Sequence, residues 1–426
     1  MKILLSNAKI LKMDDSPIKE GAVVIENDKI IYIGQDYQKF EPFDQIHDCL
    51  GNVIMPSFKN AHTHNAMTFL SSKTDDLSLH DWLFNAVFPR EELLKEEDVY
   101  HLSKVAFLEM LTSGITACFD QYYFPLSTAK AAEEMGFKVL LLGTYNKLYG
   151  YDKLKDLYLS LNNSKSDLVR YCFGIHAEYT VSQEELDIMA DLVHELKAPF
   201  YTHISETASE VEECYKRRGM SPVKYLKSKG LFDYGGGAYH CVYFNDEDIE
   251  IFKKHNLSVV TCPGSNTKLA SGIAPLYKYK EAGLNIAIGT DGPASNNCLD
   301  FFKEMTLVTG LQKLLLKDPT VFPAYEVLKM ATVNGAKAMG MFDADILEVG
   351  KKADLIEIDL HRPNMQPLNN IVNNIVYSGS KDNIRMTMIN GKILYLDRKF
   401  YVGEDVEEIY KKCQQVTDRI DREVLK

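Results

Sequence analysis

The stretch Val53-Ile54-Met55-Pro56-Ser57-Phe58-Lys59-Asn60-Ala61-His62-Thr63-His64 opens as an apolar run of strand length and closes on two histidines spaced two apart. Residues two apart on a strand point to the same side, so both imidazoles can converge on one ion. Seven more apolar runs follow, at 115–120, 138–144, 169–175, 199–203, 237–242, 258–262 and 285–289. Longer stretches of helical period separate them, among them 91–113, 127–135, 182–196, 206–219 and 246–255. Strands alternating with helices are the signature of βα units around a parallel sheet. With 53–57 counted as the first strand, eight units over roughly 290 residues predict an α/β fold of the (β/α)8 TIM-barrel type, whose usual size is about 250 residues plus insertions. A doubly wound open sheet is the other arrangement of the same units.

Outside this region the texture changes. Short strands are predicted at 2–12, 21–26 and 29–34, and again at 353–360 and 385–396, the last broken by the turn pair Asn390-Gly391. The two chain ends, 1–52 and 347–426, are therefore expected to form one discontinuous β-sandwich domain, with the barrel of 53–346 inserted in it. Of the 426 residues, 46% are hydrophobic and 11% aromatic, which supplies a large core and excludes a disordered chain. The formal charge is 48 − 60 = −12 and no Lys/Arg stripe stands out, which disfavours a nucleic-acid polymer as partner. Met1 to Asn7 turns polar after three apolar residues, and no apolar run reaches membrane-spanning length. A cytoplasmic protein with no membrane partner is expected, and a homo-oligomer by the general habit of soluble enzymes. The eight cysteines are scattered with no C-x-x-C pair, so any metal is to be sought among histidines and carboxylates.

In this barrel class chemistry collects at the C-terminal ends of the strands. Those ends carry His62 and His64, then Asp120-Gln121-Tyr122, His176, His203 to Glu206, His240, and Asp291-Gly292. A lone H-x-H pair is a weak signal. Its coincidence with His203 and Asp291 at two other strand ends supplies four ligands of the kind that suit zinc, with iron(II) as the alternative.

These residues lie in runs that resemble a known family. Met55-Pro56-Ser57-Phe58-Lys59-Asn60-Ala61-His62-Thr63-His64-Asn65-Ala66-Met67-Thr68 is similar to the opening motif of the amidohydrolase superfamily, in its 5′-methylthioadenosine/S-adenosylhomocysteine deaminase branch. The resemblance continues through the stretches 76–83 and 88–91, then 173–176, 202–207, 240–242, 262–275 and 289–297, and ends at Gly350-Lys351-Lys352-Ala353-Asp354-Leu355. It implies one divalent metal on His62, His64, His203 and Asp291, acidifying a water to hydroxide that attacks C6 of a purine. It further implies Glu206 as the proton shuttle to the ring nitrogen, His240 as the residue orienting the nucleophile, and Asp291 as acceptor of its proton. Glu91 matches the glutamate that accepts from the ribose 2′ and 3′ hydroxyls, and His176, Glu206 and Trp82 complete the implied substrate contacts.

The implied substrate is a small adenosine-type nucleoside: 5′-methylthioadenosine, 5′-deoxyadenosine or adenosine, with S-adenosylhomocysteine a lesser candidate. The slot three residues after His240, where the family commonly has His or Trp, is Tyr243. Between Tyr145 and Lys165 there are lysines and tyrosines but no arginine for a bidentate carboxylate clamp. Guanine, cytosine, pterin or chloro-triazine hydrolysis on the same scaffold is the alternative, and Glu91 with the run 268–275 favours the nucleoside. A noncatalytic scaffold would lack a ligand or the shuttle, and all are present.

Overall fold

The computed structural model describes residues 1–77 and 81–425. Positions 78–80, part of the stretch 76–83 compared above, lie outside the described residues. Eight parallel strands form the barrel: Phe58–Thr63, Ile115–Asp120, Lys138–Gly143, Val169–Gly174, Phe200–Ile204, Gly236–His240, Ser258–Thr261 and Asn285–Ile288. Their neighbours follow chain order without exception. Ala117, Phe119, Leu140, Leu142, Cys172, Tyr201, Tyr239 and Val260 fill the interior, as the side-chain layers of such a barrel require. The opposite strand faces pack under the helices in a much larger core that includes Phe107, Phe137, Phe173, Phe200, Phe232 and Phe252. Among the described residues no helix is long and apolar enough to cross a membrane.

The first strand differs from expectation. The run expected to open the barrel divides at Ser57: Val53–Pro56 pairs in parallel with Lys2–Ile10 and antiparallel with Leu355–Ile358, in a separate mixed sheet. Only the next segment, Phe58–Thr63, enters the barrel. Every residue from Val53 to Thr63 is buried, so hydrophobic periodicity could not reveal where one sheet hands over to the other.

Both chain ends build the mixed sheet, nine strands in one continuous layer. Ile3, Leu5, Val23 and Ile25 from its first strands share one apolar core with Leu355, Met386 and Met388 from its last. Glu357, completely buried, joins the two ends by a polar clamp. It accepts from Asn52 Nδ2 at 2.8 Å and Arg385 Nη1 at 2.7 Å, and lies 2.6 Å from His47 Nε2.

The tail is not part of that sheet. Val406–Val424 is a 19-residue helix lying against the barrel helix Glu96–Thr112. Its polar majority conceals one apolar stripe, from which Val416 and Ile420 pack with Trp82, Leu83 and Leu102. Arg419 binds Asp98 Oδ2 at 2.5 Å and the Leu93 carbonyl at 3.3 Å, and Lys73 binds Asp421 at 2.5 Å.

Removing one member of a buried charged network leaves the others desolvated and unpaired. Glu357→Ala is therefore expected to lower the unfolding free energy by about 3–5 kcal/mol, read as a reduced urea midpoint. An unchanged midpoint would show that the clamp between the chain ends contributes nothing net.

Candidate metal centre and active site

On the first barrel strand the register slips by one residue: Asn60 pairs with Cys118, yet Thr63 pairs with Asp120. The extra residue is a bulge, a device that re-aims side chains. It accounts for Ala61 contributing to the interior apolar layer while the adjacent His62 also turns inward toward Asp291. Above the bulge the two-residue spacing holds. His62 Nε2 lies 3.3 Å and His64 Nε2 3.1 Å from the same Asp291 oxygen, Oδ1.

His203 arrives at the end of the fifth strand, its ring centroid 4.7 Å from that of His62. His240 ends the sixth, where Tyr239 already occupies the interior and stacks on His62 at 3.7 Å. Two adjacent residues face one interior here because His240 adopts a left-handed φ of 66°. Ligand-type atoms of His62, His203, His240 and Asp291 all lie within 4.8 Å of one another. This group has His240 where the sequence reading has His64, and His64 adjoins it through Asp291 Oδ1.

The remaining hydrogen bonds prepare these groups for a cation. Nδ1 of His64 donates to the Gln121 carbonyl at 2.6 Å, Nδ1 of His203 to the His176 carbonyl at 2.8 Å, and Nδ1 of His240 to Asn266 Oδ1 at 2.8 Å. Each bond fixes the tautomer and leaves Nε2 bare, the usual arrangement around a metal-binding imidazole. Both ring nitrogens of His62 are buried without a hydrogen-bond partner. Asp291 Oδ2 is held by Ser265 Oγ at 2.6 Å and Ser295 Oγ at 2.7 Å, so Oδ1 alone faces the imidazoles. The donor set fits a divalent cation.

Electrostatics agree. Burial opposes charge on Asp291, but the His62 and His64 contacts outweigh it and hold the carboxyl well below the usual range. Burial pushes His62 down to about 3 and His203 well below its ordinary value. Both are therefore neutral near pH 7, the form that ligates metal. Burial also disfavours charge on His64 and His240; Asp291 overrides it at His64, and Glu206 followed by Asp291 at His240.

A cavity of about 710 Å³ opens beside this cluster, within the range of small-molecule sites, about 300–1,000 Å³. His64, Trp82, Glu91, His176, His203, Glu206, His240 and Asp291 all line it; His62, completely buried, does not reach its wall. Glu206 Oε1 accepts from Ser271 Oγ at 3.0 Å, and Oε2 lies 3.9 Å from His240 Nε2.

Glu91 ends a short helix, Phe88–Glu91, that follows a π-helical turn at Trp82–Val87. Its Oε1 accepts from Tyr122 Oη at 2.6 Å, and burial pushes its carboxyl up to about 7 despite that bond. His176 is driven down to about 4 by burial first and then by its proximity to His64. Its Nδ1 has no partner, while its carbonyl orients His203. Trp82 offers the cavity its ring only, since Nε1 donates to Thr74 Oγ1 at 3.0 Å.

Sequence reasoning missed several contributors: Asn266, Ser265, Ser295 and Ser271, which hold His240, Asp291 and Glu206, and Tyr122, which holds Glu91. The conspicuous Tyr243 donates to the Ser271 carbonyl at 2.8 Å, so it supports the same loop that supplies the Glu206 partner.

Known proteins share this architecture. The model of the amidohydrolase family matches residues 53–394. A 5-methylthioadenosine/S-adenosylhomocysteine deaminase of Thermoanaerobacter pseudethanolicus is 40% identical over 420 residues, covering 96% of this chain and 97% of its own. A 5′-deoxyadenosine deaminase of Methanosarcina acetivorans is 38% identical, covering 98% of each chain. The crystal structure of an adenosine deaminase from Xanthomonas campestris with bound zinc superposes with a TM-score of 0.92 at 30% identity, over 99% of this chain and 98% of its own. The ring of inward histidines, the single carboxylate between them and the full-length similarity have one reading: the chain belongs to the amidohydrolase family.

Proposed function

We propose that this protein is a metal-dependent hydrolytic deaminase of adenosine-type nucleosides, releasing ammonia from C6 of the purine. The observation that carries the reading is one cavity wall on which His64, His203, His240 and Asp291 stand together with Glu206 and Glu91. Full-length relatives named for methylthioadenosine, S-adenosylhomocysteine and 5′-deoxyadenosine deamination support the nucleoside over other aminated heterocycles.

His62, His64, His203 and Asp291 are assigned as ligands of one divalent ion, with His240 beside them; zinc is the assignment, since the adenosine deaminase of similar fold holds zinc. When bound, such an ion supplies Lewis acidity and lowers the pKa of water from 15.7 toward about 7. Asp291 is placed to accept a proton, and His240, with Nδ1 committed to Asn266, presents Nε2 toward both Asp291 and Glu206. Glu206 carries the proton that the purine ring nitrogen needs as C6 becomes tetrahedral; the proton that Asp291 takes from the attacking water passes to the departing amine, and the C6 hydroxyl proton restores Glu206 as the carbonyl forms. Glu91 receives the ribose diol, two hydroxyls against two carboxylate oxygens, and Tyr122 keeps that carboxylate in one orientation. His176, neutral at working pH, contacts purine or ribose from the fourth strand. The walls exclude water with the apolar faces of Trp82, Phe88 and Leu269.

Metal analysis with ammonia release from adenosine, 5′-deoxyadenosine, methylthioadenosine and S-adenosylhomocysteine tests the whole reading. Glu206→Gln is expected to retain metal and lose about 10²–10⁴-fold in turnover, whereas His203→Ala is expected to lose the metal. Parent-like turnover in Glu206→Gln would sink the shuttle role. Glu91→Gln should cost nucleosides about 10- to 100-fold in kcat/KM, the value of a charged hydrogen bond, and adenine base far less. Because Glu91 protonates as the pH falls below about 7, the adenosine-to-adenine ratio of kcat/KM should decline there. A flat ratio across pH 6–8 would remove Glu91 from ribose recognition.

A further inference from the structure

Four residues beyond Glu206, on the first turn of the helix Ala208–Arg218, stands a second buried carboxylate. Glu210 Oε1 accepts the backbone N–H of Ser205 at 2.7 Å, and Oε2 accepts the backbone N–H of Glu206 itself at 2.8 Å. A glutamate at this helical position ordinarily reaches back to the N-cap amide. Here the N-cap is Thr207, whose hydroxyl receives the Glu210 amide at 3.2 Å, and the Glu210 carboxylate reaches past it to the two preceding amides.

Those amides belong to a turn in an unusual conformation. Ser205 has a φ of 51°, a left-handed geometry that a side-chain-bearing residue adopts only when its surroundings enforce it. The Ser205 carbonyl is held from the other side by the amides of Val242 and Tyr243, at 3.0 and 2.9 Å. Glu210 thus secures the N–H side of the turn while the loop after the sixth strand secures its C=O side. Glu210 does not line the cavity and touches neither the His/Asp cluster nor a substrate position.

We infer that Glu210 is a positioning residue: by binding two consecutive amides it fixes the turn that aims the Glu206 carboxylate between the cavity and His240. The inference rests on Glu206 being the proton shuttle. Burial pushes the Glu210 carboxyl up to about 7, and the two amide bonds oppose that shift.

Glutamine is isosteric with glutamate but has one acceptor oxygen, and its NH2 group set against a backbone N–H cannot accept. In Glu210→Gln one of the two amides is therefore released. Expected is a kcat lower by on the order of 10- to 100-fold, the effect of a small misplacement of a reacting group, with KM and metal stoichiometry close to the parent's. The deciding readout is a double-mutant cycle. If Glu210 acts through Glu206, adding Glu210→Gln to Glu206→Gln should lower turnover no further than about twofold. An unchanged kcat in Glu210→Gln, or the same fold loss in both backgrounds, overturns the inference. Should Glu210→Gln fail to fold, Glu210→Asp, which keeps both oxygens on a stem one methylene shorter, is read in the same two backgrounds with the same criteria. Parent-like turnover in Glu206→Gln alone overturns the shuttle assignment first and this inference with it, an outcome separate from a failure at Glu210.

Discussion

The whole arrangement depends on how the barrel closes. Seven neighbouring pairs of strands are joined by backbone ladders, whereas the first and eighth are joined chiefly by side chains. Asn60 Nδ2 donates to Thr290 Oγ1 at 2.8 Å, and the Thr290 amide returns to Asn60 Oδ1 at 2.9 Å. Thr63 Oγ1 donates to the Asp291 carbonyl, and the Asp291 amide to the His62 carbonyl, both at 3.1 Å. These bonds stitch together the two segments that bear His62, His64 and Asp291. The seam tolerates no side chain at Gly289, where a Cβ would sit 2.8 Å from that of His62. Closing the barrel and assembling the metal centre are one event.

Such a centre is costly to bury. Several imidazoles and three carboxylates, of Asp291, Glu206 and Glu210, are buried within a few residues of one another, and buried charge is unfavourable unless paired. The fold limits the cost by giving the ionisable groups neighbours: carbonyls for the Nδ1 atoms of His64 and His203, hydroxyls for Asp291 and Glu206, amides for Glu210. Within the cluster itself, the nitrogens of His62 have no hydrogen-bond partner and the Nε2 atoms gather around Asp291 Oδ1, an arrangement complementary to a cation. That arrangement, more than any single residue, defines what the site binds.

This division also sets how far the sequence could be read. Residues that project from strand ends announce themselves by position, so His62, His64, His203, His240 and Asp291 were legible, as was the eightfold alternation that places them. Features that depend on a backbone irregularity were not. The bulge before Thr63 and the left-handed φ of His240 leave no trace in hydrophobic period, although each decides which way a histidine points. The handover at Ser57 was invisible because both flanking strands are wholly buried. Ser265, Ser271, Ser295 and Asn266 were overlooked because hydroxyls and amides are common in loops, and only contact distinguishes a support from a bystander. Tyr243 stood out as an exception to the family pattern, but its role as a brace for the Ser271 loop required the fold.

The tail illustrates the same principle at longer range. Its helix, Val406–Val424, falls in the stretch 347–426 that the sequence reading gives to the β-domain. Its stripe of Val416 and Ile420 instead covers the apolar side of the segment that carries Trp82 and Leu83. Arg419 pins the turn at Leu93 and Asp98 immediately after Glu91. That segment consists of a π-helical turn and a four-residue helix, and its bonds include Trp82 Nε1 to Thr74 Oγ1, Arg90 Nη1 to the Ala86 carbonyl and Tyr122 Oη to Glu91. The ribose contact proposed for Glu91 calls for a fixed stem, and Glu91 stands on this segment and not on a barrel strand. The last helix of the chain braces the turn that follows it, so the placement of Glu91 is structurally coupled to residues more than three hundred positions away.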